Sequence, residues 1–252
     1  MIDARRIEEA GLNAMQTQRQ LFYDGWLLRV SPGSAKRARS VGACFGSTLP
    51  LADKIAHCER VYGERELPAL FRITPFDQPR DLDGALAARG YLAFDRSLVQ
   101  AVELVGATLP AHDVPGVALV EPSVDAFVDA VGALRGASPG QREAHRERLR
   151  HSALDGRLLV ALEDGEPVAA GKSAREGEIV GLFDVVTAEG ARGRGIASAL
   201  VARLLARAWD RGARCAYLQV DAGNAPALAA YRKFGFETLY EYHYRGREGE
   251  CR

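Results

Sequence analysis

The stretch Arg192-Gly193-Arg194-Gly195-Ile196-Ala197 lies between an apolar run and an amphipathic one, and it restricts the fold more than any other segment. Upstream, Ile179–Thr187 is apolar, rich in β-branched residues and closed by a polar residue, the pattern of a buried strand. Downstream, Ile196, Leu200, Leu204 and Ala208 recur every four residues through Trp209, and Gly212 closes the predicted helix. A strand, a glycine turn and a helix start gather backbone N–H groups at one spot, with the positive end of the helix dipole behind them. Such a spot binds phosphate. Glycines let the backbone approach a ligand with no Cβ in the way, and Arg192 and Arg194 add charge.

Two familiar phosphate loops do not fit. A dinucleotide fingerprint needs a third glycine where Ser198 stands and an acid about 20 positions on, where Cys215 and Ala216 lie. Gly171-Lys172-Ser173 has the ending of a nucleotide-triphosphate loop, but its first glycine would fall at Glu166, and the triplet sits inside a predicted strand.

The spacing that does fit is Gln/Arg-x-x-Gly-x-Gly/Ala, met by Arg192, Gly195 and Ala197. A strand at Cys215–Val220 follows, then Asn224, Ala227, Tyr231, Gly235 and Phe236, which match Asn-x-x-Ala-x-x-x-Tyr-x-x-x-Gly-Phe at every position. Together the two patterns resemble the acyl-CoA site of the GNAT acetyltransferase superfamily, over residues 117–245. The resemblance implies a mixed α/β (α+β) fold, a central twisted and mostly antiparallel sheet flanked by helices. The residues agree with it independently. Pro226 fits the first turn of a helix, Gly235 ends it, and Asn224, Ala227 and Tyr231 share one helical face. An amide, a small residue and a phenol on one stripe suit a ligand running alongside; Tyr231 alone equally suits an amphipathic core position.

Charge and composition exclude several classes. The 33 Lys and Arg balance 33 Asp and Glu, with none of the basic excess typical of nucleic-acid binders. Arg142, Arg146, Arg148 and Arg150 are interleaved with Glu143, His145 and Glu147, which reads as a solvated helix face. No apolar run reaches membrane-spanning length and no charged-then-apolar leader is seen, so a soluble cytoplasmic protein is expected. Cys44, Cys58, Cys215 and Cys251 are scattered, and His57, His112, His145 and His151 read as surface residues; no metal is expected.

A linker is signalled at 106–116 by Pro, Gly and small residues. It divides the chain into 1–115 and 116–252. After it come a strand at Val117–Val120, a helix at Ser123–Leu134 with Ser123 as N-cap, and a charged helix at Ala137–Leu154. A meander follows at Arg157–Leu162, Pro167–Ala174 and Ile179–Thr187, and the closing strand Thr238–Arg245 puts Tyr240, Tyr242 and Tyr244 on one face. In the first half, Gly25–Val30, Arg39–Cys44, Ala69–Thr74 and Ser97–Leu104 read as strands, and Leu51–Tyr62 and Leu82–Ala88 as helices. Ala87-Ala88-Arg89-Gly90-Tyr91 echoes Tyr231–Phe236 at a helix–strand corner, so this half resembles a degenerate GNAT-like lobe. Between Cys44 and Leu51 there is no arginine–glycine turn, and no CoA site is expected there.

What the resemblance implies for chemistry is acetyl-CoA as co-substrate. Arg192, Gly193, Arg194, Gly195, Ile196 and Ala197 would cradle its pyrophosphate, the backbone of Val185, Val186 and Thr187 would align the pantetheine arm, and Asn224 and Tyr231 would line the cofactor. Tyr231 would be the proton donor to the departing thiolate. Asp184, a charge in an apolar strand, is the first candidate for general base or else a structural buried carboxylate; Glu178, Asp221 and a water chain are alternatives. The family often has a glutamate eleven positions before the first motif arginine, where this chain has Gly181.

Three functions remain open on sequence grounds: N-acetylation of a small-molecule, amino-acid or aminoacyl amine, acetylation of a protein N-terminus or lysine, and non-catalytic acyl-CoA sensing. Arg29, Arg37, Arg39 and Arg72 offer charge for an anionic substrate group, or are ordinary surface charge. A monomer or homodimer fits equally.

Overall fold

Helices and strands intermix along the described residues, 2–15, 17, 19–31, 35–104 and 113–250, of this computed structural model. The first half runs α1 (Ala4–Asn13), β1 (Gln20–Tyr23), β2 (Trp26–Arg29), β3 (Val41–Gly42), α2 (Leu51–Gly63), β4 (Phe71–Ile73), α3 (Leu82–Ala88) and β5 (Leu92–Glu103). The second runs β6 (Val117–Val120), α4 (Val124–Arg135), α5 (Pro139–Arg150), β7 (Asp155–Glu163), β8 (Glu166–Glu176) and β9 (Ile179–Thr187). It closes with α6 (Ile196–Asp210), β10 (Cys215–Asp221), α7 (Ala225–Arg232) and β11 (Glu237–Gly246). The order read from sequence after the linker is the order observed; α1 and β1 were not foreseen. Residues 106–112 of the expected linker lie outside the described residues.

The chain gathers into two compact units. The larger holds Met1–Gln16, Gln100–Val220 and Asn224–Leu239, and the smaller holds Thr17–Val99, Asp221–Gly223 and Tyr240–Arg252. They interleave in sequence, whereas a division at 115/116 is linear.

In the larger unit the strands run β10-β9-β8-β7-β6, antiparallel except for the parallel β9–β10 pair. Ser123 caps α4 by accepting from the Ala126 N–H at 3.2 Å. The charged helix is shorter than 137–154. Ser138 and Gln141 form a reciprocal capping box, Pro139 takes the first helical position, and His151 closes the other end. None of its residues is buried, and Arg146 pairs with Asp125 and Glu143, so the arginine run is a solvated face. Phe127, Ala130 and Val131 of α4 pack on Val160 and Ala170 of the sheet. The α6 helix lies close on β8, where a Cβ at Gly171 would meet Leu200 Cδ2 at 2.5 Å.

The smaller unit orders β1-β2-β3-β4-β11, with only β3–β4 parallel. Trp26, Leu28, Val41, Phe71 and Ile73 on one face pack against Ile55, Cys58 and Tyr62 of α2 and Leu82 and Leu86 of α3. Tyr240, Tyr242 and Tyr244 are buried in alternation, as period two requires. The strand expected at 39–44 is only Val41–Gly42, while β5 begins five residues earlier than its expected start. The mixed α/β class with mostly antiparallel pairing holds for the chain.

Candidate active site

β9 pairs with β10 only through Ile179–Leu182 against Cys215–Leu218. Beyond Leu182 the ladder stops, although both strands continue. On its other side β9 bulges against β8, because Lys172 partners Phe183 while Ala170 partners Val186. Asp184 sits at that bulge with φ 55°, a conformation uncommon for a residue with a Cβ. A strand bent on one side and unpaired on the other opens a cleft of about 830 Å³. Its lining includes Val185, Val186, Thr187, Arg192, Gly193, Gly195, Ile196, Ala197, Asn224 and Tyr231.

The turn from β9 into α6 explains the glycines. Gly193 has φ 76° and Gly195, the residue capping α6, has φ 81°, so both occupy the left-handed region. No side chain caps α6, and the residues of its first turn, Ile196, Ala197 and Ser198, line the cleft. A Cβ at Gly193 would meet nothing within 4 Å, so the turn is held open beside Arg192. Donors, dipole and an arginine at an open cleft fit a pyrophosphate. At the other wall, Asn224 Oδ1 accepts from the Ala227 N–H at 3.2 Å and caps α7. Tyr231 packs edge-on against Phe236 with centroids 5.9 Å apart, and burial pushes its phenol up to about 12.

Asp184 is surrounded by basic side chains. Arg135 Nη1 donates to Oδ1 and His145 Nε2 to Oδ2, each at 3.0 Å, and Lys172 Nζ lies 4.0 Å away. Burial alone would raise this carboxyl, but the His145 hydrogen bond and the Lys172, His145 and Arg135 charges outweigh it and hold it far below the usual range.

Residues 128–236 match the family model described as Acetyltransferase (GNAT) family. Streptothricin acetyltransferase of Streptomyces lavendulae is 32% identical over 147 residues, 57% of this chain and 71% of that protein. The chain belongs to the GNAT acetyltransferase family. An uncharacterized N-acetyltransferase of Bacillus subtilis, YobR, is 27% identical across 97% of this chain and 99% of its own length. A GCN5-related N-acetyltransferase from Kribbella flavida shares the fold, with TM-score 0.72 at 19% identity over 99% of this chain and 97% of that one. The chain is thus an acetyltransferase enzyme.

Against the GNAT reading of the sequence, two candidates lie elsewhere. Arg194 turns away from the cleft lining and forms a bidentate pair with Glu163, one contact at 2.9 Å. Asp184 is a neighbour of the lining, not part of it. His145 is a correction of another kind: its side chain is 12% exposed because Asp184 draws it inward, so it is not a surface residue. His57 too is partly covered, stacked on Tyr23 at 3.7 Å. The missing family glutamate has a steric counterpart, since a Cβ at Gly181 would meet the Phe183 and Tyr217 rings at 2.6 Å. Sequence reasoning missed Ala191, Ser198, Val201, Ala230, Lys233 and Phe234 in the lining. Only the α6 periodicity could have pointed to Val201, one turn beyond Ala197. Among the described residues no cluster of His, Cys, Asp or Glu could hold a metal, and no helix is long and apolar enough to cross a membrane.

Proposed function

We propose that the enzyme moves an acetyl group from acetyl-CoA to a primary amine of a small molecule, amino acid or aminoacyl compound by direct attack. One observation carries this reading: the glycine turn, the unpaired end of β9 and the Asn224–Tyr231 face line a single cleft. The relative named for streptothricin supports a small-molecule acceptor. When bound, acetyl-CoA supplies the activated acyl group. Arg192 and the N–H groups of Gly193–Ala197 would hold its pyrophosphate, and the backbone of Val185–Thr187 would align the arm and face the charge developing on the carbonyl oxygen.

An amine with pKa near ~10 is mostly protonated at neutral pH, so a proton must leave before nitrogen attacks the carbonyl carbon. The C–S bond then breaks and the thiolate takes a proton. Tyr231, which lines the cleft, is the phenol placed to make that donation, although burial weakens it as an acid. Asp184 suits the base role poorly: the His145 hydrogen bond and the Lys172 and Arg135 charges stabilise its ionised form and leave it little basicity. We assign it to holding the bulge, and the amine proton to water. Screening an amine panel for free-thiol release tests the proposal. Release with one amine and acetyl-CoA is expected; binding without release from any amine would leave a sensing protein instead.

A further inference from the structure

The bulge in β9 needs something to hold it. Ala170 of β8 partners Val186 and Lys172 partners Phe183, so Asp184 and Val185 together face the single residue Gly171. Asp184 takes up the extra residue with φ 55°. A residue with a Cβ keeps that conformation only where its surroundings enforce it. Directly after it come Val185, Val186 and Thr187, which line the cleft. Toward β10 their strand has no ladder beyond Leu182. The direction of their backbone groups is therefore set from the β8 side and by Asp184.

Among the described residues three side chains hold the Asp184 carboxylate, and they are not equivalent. Arg135, the last residue of α4, donates at 3.0 Å, but its side chain is 44% exposed and water screens the bond. Lys172 is well covered, but its Nζ lies 4.0 Å away, beyond hydrogen-bond range. His145 combines both properties: it bonds at 3.0 Å and only 12% of its side chain is exposed. An ionised carboxylate can only accept, so Nε2 carries the proton of this bond.

The α5 helix delivers the ring to that place. It is fixed at its start by the Ser138–Gln141 capping box, and along its length by Arg146, which pairs with Asp125 and Asp129 of α4. The His145 ring sits edge-on to the buried ring of Phe127, with centroids 6.1 Å apart. A helix with no buried residue thus reaches the strand beside the cleft through a covered imidazole.

We propose that His145 is a positioning residue for acetyl transfer: its hydrogen bond to Asp184 fixes the β9 bulge and, through it, the backbone of Val185–Thr187. The consequence for turnover rests on the acetyl-CoA reading of the cleft; the hold on the bulge does not. The test compares His145→Ala with His145→Gln, whose side-chain amide can donate in place of Nε2. Thiol release with an acceptor from the amine panel is measured beside hydrogen exchange of the ligand-free full chain, read by peptide mass. In His145→Ala, kcat should fall by about 10- to 10²-fold, the scale on which small misplacements act. KM for acetyl-CoA should stay within about threefold, because the turn at 192–197 is untouched. Exchange over 183–187 should quicken while exchange over 225–232 stays as it was. His145→Gln should recover most of the lost turnover. The assignment is overturned by unchanged kcat in His145→Ala, by lost turnover without faster exchange at 183–187, by equally faster exchange in both segments, or by His145→Gln as slow as His145→Ala. If the unmutated chain transfers acetyl to no amine, the acetyl-CoA reading fails instead, and exchange at 183–187 alone decides whether His145 holds the bulge.

Discussion

Each unit contains a strand followed by a loop and a helix, and the two junctions dispose of their backbone donors in opposite ways. Between β9 and α6 the glycine turn carries no side-chain cap, and its N–H groups open on a cleft. Between β3 and α2 the loop has its own anion. Asp24, from the β1–β2 turn, accepts from the Thr48 N–H at 3.0 Å, the Thr48 hydroxyl at 2.8 Å and the Leu49 N–H at 2.9 Å. Those backbone bonds hold its carboxyl well below the usual range, and fully buried Lys54, 3.2 Å away and over the Trp26 ring, completes the plug. Similar topology therefore leaves the donors of one junction beside an open cleft and fills those of the other internally. What decides is whether a carboxylate of the chain reaches the donors first.

The largest expected effect breaks the comparison at its open end. Gly195→Glu places a side chain where φ is positive and a negative charge beside the phosphates, and acetyl-CoA binding should be abolished. Calorimetry showing unchanged affinity in the folded variant would remove the cradle assignment. The unmutated chain should bind one acetyl-CoA; two equivalent sites would show that the Asp24 plug does not close the second junction.

Next comes the chemistry at the open junction. Tyr231→Phe keeps the edge-on contact with Phe236 and removes only the hydroxyl. Turnover should fall by roughly 10²-fold, with acetyl-CoA affinity little changed. A collapse of affinity with intact turnover at saturation would make Tyr231 a binding residue, and no change in either would make it a packing residue.

The units also stabilise their low-pKa carboxylates differently, Asp184 by side-chain cations and Asp24 by backbone N–H groups. Asp184→Asn removes the charge that Arg135, His145 and Lys172 face and should cost about 2 kcal/mol in urea denaturation, below the range for a fully buried pair because Arg135 is exposed. Full stability with lost turnover would give Asp184 a chemical role. The smallest effect is expected at Asp24. Its folded pKa is depressed, so its contribution is complete above the ordinary carboxylate value near ~3.9 and fades as pH falls below that. Asp24→Asn should therefore lower Tm at neutral pH and flatten the acid limb of the stability profile, while adding no second acetyl-CoA site. An unchanged acid limb would mean the bonds to Thr48 and Leu49 contribute nothing.

Much of this was legible in the chain because it depends on near neighbours. Periodicity placed β9, α6 and β10 within one or two residues, since burial of one face repeats along the sequence itself. Spacing also placed the glycine turn and the Asn224–Tyr231 helical face, both local patterns; the positive φ of the glycines and the Asn224 cap on Ala227 are findings of the structure. The same locality located most of the cleft lining.

Contacts that span the fold were not legible. Arg194 looked like a cradle residue from its place in the turn, but Glu163, 31 positions earlier, pairs with it. His145 looked exposed among charged neighbours, yet the bulge brings Asp184 to it across 39 positions. Asp24 gave no sign that it would fill the donors of a loop more than twenty residues away. The sequence by itself determined which segments become strands, turns and helices, and hence where the glycine turn before α6 forms. Only the tertiary structure decided which charges find partners, because a salt bridge depends on distance in space, and register and bulges set that distance.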